Sequence, residues 1–127
     1  GTRAVAEVLI QSGVYMGDDL NGPNDNLIFT RLFKNPDWYK NTSDIQKQKR
    51  LRIFEKYMSK DKLSLWDIIE VFSASKSNPT FRSSTGFYFR LIKKIFGKEK
   101  DTPNWGWKEP NTQIYISELL DFFNELK

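Results

Sequence analysis

Cysteine and histidine are both missing from this 127-residue sequence, and each absence removes a class of chemistry. Without Cys there is no disulfide and no thiolate nucleophile; without His there is no imidazole base, and nearly all zinc sites lose their usual ligands. Acid and base work therefore falls to carboxylates or Lys, and no metal site is expected. Long apolar runs are missing too. No stretch approaches the roughly eighteen residues that read as a membrane span, and no charged, apolar and small-residue series marks a signal peptide. These absences lead us to expect a cytoplasmic protein with no membrane span. Charge of one sign is only mildly in excess, at +4 with a pI near 9.3. That suits an anionic ligand but falls short of the Lys/Arg stripe of a dedicated nucleic-acid binder, so nucleic acid is not an expected partner.

Large apolar side chains are what the sequence does have. A hydrophobic content of 39%, with ten Phe and four Trp, is too high for a disordered chain. The length suits one domain, residues 1–127. Val5, Val8 and Leu9 share a helical face within residues 4–12, and Gly13 stands where a glycine ends a helix. Residues 17–26, rich in Gly, Pro, Asn and Asp, read as an acidic loop. Leu27, Ile28, Leu32 and Phe33 form a brief helical stripe that Asn35-Pro36 interrupts.

A helix is expected over about 43–59, with Leu51, Phe54, Tyr57 and Met58 inward and Lys47, Lys49, Arg50, Arg52 and Lys56 around the rest. Ser64 and Asp67 resemble a capping box, followed by a stripe of Leu65, Ile68, Ile69 and Phe72, and Asn78-Pro79 closes that helix. A further amphipathic segment from Ser84 to Phe96 buries Phe87, Leu91, Ile92 and Ile95, shows Arg90, Lys93 and Lys94, and ends at Gly97. Trp66, Phe72 and Phe87 read as core. Arg90, Lys93, Lys94, Lys98 and Lys100 read as a solvated basic face rather than an anion site. Trp105-Gly106-Trp107, between the turn Thr102-Pro103-Asn104 and Pro110, suits a short buried strand. Asn111 or Thr112 then caps a last helix with Ile116, Leu119, Leu120 and Phe123 inward. Taken alone, the pattern is mostly helical with one strand; an α/β fold follows only if partner strands lie outside this stretch.

Two places can hold chemistry. Gly1-Thr2-Arg3 leads directly into a helix, and a turn of that kind aims backbone N–H groups and the positive end of the helix dipole at an anion, to which a hydroxyl and a guanidinium add bonds. The plainer alternative is an ordinary helix start with Arg3 in solvent. In Trp105 to Thr112, Lys108 and Glu109 follow a short strand and precede a helix, where ligands sit in α/β sheets. Here the plainer alternative is a surface ion pair.

Read together, GTR-x-VA-x-x-L-x-x-x-GV-x-MG (Gly1 to Gly17) and WGWKEPNT (Trp105 to Thr112) resemble two blocks of bacterial-type sulfotransferases that use 3'-phosphoadenosine 5'-phosphosulfate. The resemblance covers about thirty residues at the two ends, and the helices between match nothing we can name. It implies a three-layer α/β/α fold of the P-loop-like kind, with Gly1, Thr2 and Arg3 binding the 5'-phosphosulfate. It also implies that the strand and first half of the phosphate loop precede Gly1. The Arg and Ser that hold the 3'-phosphate in that family would follow Lys127. The chain would then be an incomplete sulfotransferase domain, not active by itself.

Sulfuryl transfer relies on positioning and electrostatic stabilisation. Lys108 would neutralise developing charge, and a carboxylate among Glu109, Asp25, Asp18 and Asp19 would take the acceptor's proton. The acceptor would be a small molecule or carbohydrate bearing a hydroxyl or amine. Two other functions stay open: a kinase-like P-loop enzyme, although a Walker loop wants Lys where Gly1 precedes Thr2, and a helical interaction module without catalysis, which would expose a large apolar patch.

Overall fold

A computed structural model describes residues 1–78, 85–96 and 104–125. The described chain is mostly helical: α1 (Thr2–Gln11), α2 (Leu27–Phe33), α3 (Pro36–Asn41), α4 (Asp44–Met58), α5 (Leu65–Ser77), α6 (Thr85–Phe96), a 3-10 turn (Pro110–Tyr115) and α7 (Ile116–Glu125). No helix among the described residues is long and apolar enough to cross a membrane.

Local sequence explains most of the boundaries. Beyond the C-cap Ser12 of α1, Gly13 takes φ +88°. Its N–H donates to the Ile10 carbonyl, and the Val14 N–H to the Leu9 carbonyl, both at 3.0 Å. This paired closure uses a left-handed residue that glycine supplies without steric cost. Asn26, Asn35, Ser43 and Ser64 each cap the helix that follows by accepting a backbone N–H. At α5 the reciprocal bond from the Ser64 N–H to Asp67 completes the expected capping box. Asn35-Pro36 does more than interrupt. Asn35 is a cap, Pro36 fits the first helical position where its missing N–H costs nothing, and a new helix begins.

The core is organised around α2. All six residues from Ile28 to Phe33 are buried, so the expected single stripe is in fact a helix covered all round. Seven residues are too few for a helix to hold alone in water. Helices α4 and α5 pack on α2, α7 packs on α4, and α6 on α5. Phe29 meets Phe33, Phe54, Trp107 and Tyr115 at ring separations of 4.7, 5.2, 5.8 and 6.2 Å. Each such buried ring contributes roughly 1.5–3 kcal/mol through removal from water.

Several faces differ from the expected ones. Helix α5, which packs on α2, buries Ile68, Val71, Ala74 and Ser75 and leaves Leu65 and Ile69 exposed. Trp66, expected in the core, is 73% exposed. In α6, Phe87, Leu91 and Lys94 form the buried row, while Ile92 is exposed; the Lys94 ammonium lies 4.5 Å from the centre of the Tyr57 ring. In α7, Leu119 and Phe122 are buried and Ile116 and Leu120 exposed. Arg50 belongs to the buried side of α4. Its Nη1 donates to the Leu32 carbonyl at 2.7 Å and its Nε to Glu70 at 3.0 Å, and burial holds its pKa below the ordinary guanidinium value despite Glu70. Pro79, Ser84, Gly97, Lys98, Lys100, Thr102 and Pro103 lie outside the described residues.

The strand expected near residues 105–108 reduces to one bridge. Trp105 pairs in parallel with Tyr15: the Tyr15 N–H donates to the Asn104 carbonyl at 3.1 Å and the Gly106 N–H to the Tyr15 carbonyl at 2.9 Å. The bridge starts a parallel ladder that continues no further among the described residues.

Candidate functional site

The extended segment at Trp105 sets the geometry of the site by alternation. In extended chain successive side chains point to opposite sides, and both Trp105 and Trp107 turn to the core. They meet Phe54 at 6.2 and 5.3 Å, and Trp107 Nε1 donates to Thr112 Oγ1 at 3.0 Å. A Cβ at Gly106 would lie 3.6 Å from Met16 Sδ, so this residue faces the segment after α1. Lys108 therefore points away from the tryptophans and into the acidic loop.

That loop is built to receive it. Asn21 closes the turn by donating from Nδ2 to Asp25 Oδ2 at 3.0 Å and by accepting the Asp25 N–H at 2.8 Å. Lys108 Nζ donates to Asp25 Oδ1 at 2.5 Å and to the Pro23 carbonyl at 3.0 Å. Both members of the ion pair are largely screened from water, at 16% and 18% side-chain exposure. Partial burial pushes the Asp25 carboxyl up. The hydrogen bonds from Lys108 and Asn21 and the charges of Lys108 and Lys34 outweigh it, so Asp25 is held below the ordinary carboxylate value.

Asn26 locks loop to segment from behind. It is fully buried; its Nδ2 donates to the Met16 carbonyl at 3.0 Å, its Oδ1 accepts the Phe29 N–H at 2.9 Å, and its own N–H donates to the Lys108 carbonyl at 2.7 Å. Gly17, at φ +107°, lies so close that a Cβ would meet Asn26 Nδ2 at 2.6 Å, and only glycine fits there.

The other candidates hold structural partners. Glu109 is buried and caps the 3-10 turn, accepting the Asn111 N–H at 2.6 Å and Asn111 Nδ2 at 2.8 Å, so both of its oxygens are engaged. Asp19 lies 3.5 Å from Arg31 Nε and 3.5 Å from Arg90 Nη2, and the Arg31 guanidinium rests 3.9 Å from the centre of the Phe87 ring. Asp18 is exposed. At the other end of the chain, Gly1 is the N-cap of α1 and no side chain caps it. Thr2 is thus the first helical residue, and Arg3 pairs with Glu7 at 3.1 Å along the exposed helix surface. The structure brings Lys108 and Asp25 together. No hydrogen bond or ion pair among the described residues joins them to Gly1, Thr2 or Arg3.

No family model, curated protein or solved structure matches the chain.

Two features escaped the sequence reading. Arg31 and Arg50 are buried cations that look like any others in a basic chain. The aromatic wall at Trp38 and Tyr39 belongs to a helix the reading did not expect, although Asn-Pro-Asp is a strong start signal.

Proposed function

We propose that this chain is part of a sulfotransferase domain that binds 3'-phosphoadenosine 5'-phosphosulfate, with a three-layer α/β/α organisation when complete. One observation carries the reading: the segment following α1 pairs in parallel with the segment that runs into Lys108 and Glu109. Parallel pairing is the geometry of crossover folds, in which ligands sit beyond the carboxyl ends of the strands and anions at helix N-termini. Supporting it, the α1 N-terminus carries no capping side chain, so its first N–H groups remain suited to an anion, and Arg3 is exposed beside them.

In this reading an acceptor hydroxyl or amine attacks sulfur, and the sulfur–oxygen bond to the 5'-phosphate breaks. Adenosine 3',5'-bisphosphate then leaves, and the acceptor's proton passes to a carboxylate. Lys108, held in place by Asp25 and the Pro23 carbonyl, supplies positive charge to the anion that competes with Asp25 for it. Asp25 is ionised at neutral pH but a weak base, because its neighbours stabilise the carboxylate. Glu109 supports the turn rather than the proton transfer.

Calorimetric titration of the full gene product with adenosine 3',5'-bisphosphate and ATP tests this. We expect the bisphosphate to bind at least about tenfold more tightly than ATP, and Arg3→Ala to weaken it about tenfold, as loss of a charge-assisted contact does. Preference for ATP moves the reading to a kinase-like enzyme. Absence of binding overturns both in favour of an interaction module. One observation bears on that second reading: Val5 and Val8 of α1, Trp66 of α5 and Phe89 and Phe96 of α6 are each at least 60% exposed, and apolar side chains of this kind form an interaction surface where they lie together.

A further inference from the structure

A cleft of about 1120 Å³ opens where α2 passes into α3, walled on the far side by Ser77 of α5 and by Asn111, Ile114 and Tyr115 of the 3-10 turn. Its volume lies just above the roughly 300–1,000 Å³ of ordinary small-molecule sites, so a small organic ligand fits with room for water. Its apolar walls are aromatic and already fixed in place. Trp38 is held by the Arg50 guanidinium, 3.8 Å from its ring centre. Tyr39 donates its hydroxyl to Glu118 Oε1 at 3.0 Å, and Tyr115 donates its own to the Phe33 carbonyl. The Tyr39 and Tyr115 rings meet edge to face at 4.8 Å. Walls that need not reorder on binding lose little entropy when a ligand arrives. The rim adds a sign: Lys34 and Lys40 line the cleft against the single carboxylate of Asp37.

We infer that this cleft binds a flat aromatic molecule carrying an anionic group, with the ring against Trp38, Tyr39 and Tyr115 and the anion toward Lys34 and Lys40. Flat rings match aromatic walls by offset stacking and edge contacts, and the rim selects anions over neutral rings of the same shape. The inference is independent of sulfuryl transfer. Adenine nucleotides are themselves flat aromatic anions, so the two readings are separated by where binding falls: nucleotide binding that Arg3→Ala weakens belongs to α1, and binding that Ile114→Glu abolishes belongs to this cleft.

The test uses 2-naphthoate as probe and 2-naphthol as its neutral counterpart, followed by NMR on the ¹⁵N-labelled chain. We expect saturable shifts of the Trp38 indole and the Asn111 and Ile114 amides, with a Kd below about 1 mM, and about fivefold weaker binding of the neutral probe. Ile114 is 50% exposed, so Ile114→Glu blocks the cleft without disturbing the core and should abolish the shifts while the far-UV spectrum stays the same. Lys34→Gln with Lys40→Gln should bring the two probes to equal affinity. Shifts that fail to saturate, that fall on α1 instead, or that survive Ile114→Glu overturn the inference.

Discussion

Replacing Asn26 by alanine removes more than a helix cap. In the folded chain this fully buried side chain holds the Phe29 N–H at the start of α2 and the Met16 carbonyl after α1. Loss of a cap costs about 1 kcal/mol. The Met16 carbonyl is then left inside without its Asn26 donor, which adds about 1–2 kcal/mol. We therefore expect Asn26→Ala to destabilise the chain by about 2–3 kcal/mol in all, and to lower Tm by roughly 10 °C for a domain of this size. Asn26→Ser separates the two parts, because serine caps well but is too short to reach Met16; its loss should be about half as large. Urea unfolding followed by circular dichroism measures both, with m-values checking that the unfolded state is unchanged. A loss below about 1 kcal/mol for the alanine variant, or equal losses for the two, would refute the idea that the Asn26 side chain both caps α2 and holds the Met16 carbonyl.

Two further outcomes follow from titratable groups. Because Asp25 is held below its ordinary value of 3.8, its contribution is complete above that pH and is lost as pH falls through the lowered value; Asp25→Asn should flatten acid unfolding below about pH 4. Burial, with the charge of Tyr39 behind it, raises the Tyr115 phenol above its ordinary value of 10.0, so its contribution is complete below pH 10 and declines as pH rises further. Tyr115→Phe should remove part of that alkaline loss, yet cost about 1 kcal/mol at neutral pH, where the Phe33 carbonyl loses the hydroxyl and keeps only the Asn35 N–H. Denaturant unfolding across pH 7–11 reads both effects.

Caps and turns were legible in the sequence because they are local. Ser64 with Asp67, and Gly13, act within four residues of themselves, and each lies where the letters placed it; Ser43 stands at the start of the helix expected from about 43 and proves to be its cap. Helix faces were harder. In α5, Leu65, Trp66, Ile68, Ile69, Val71 and Phe72 surround most of the axis, so periodicity offered several faces and only contact with α2 selected one. The site was legible in its parts and not in its assembly. Lys108 and Asp25 both stood out, but they are 83 residues apart, and no local rule pairs them. Glu109 was singled out for its place before a helix, and that same place makes it a cap.

The full enclosure of α2 also constrains the order in which the chain can fold during synthesis. A helix of seven residues gains almost nothing until its neighbours arrive, and those neighbours come later in the chain: α4 and α5, then the segment bearing Trp107, and last Tyr115, whose hydroxyl reaches back 82 residues to Phe33. On the ribosome, Ile28, Phe29, Leu32 and Phe33 must wait uncovered for several seconds while the rest is translated. The nascent protein should thus offer an early, short-lived binding stretch to chaperones, and that stretch disappears only when the final turn docks.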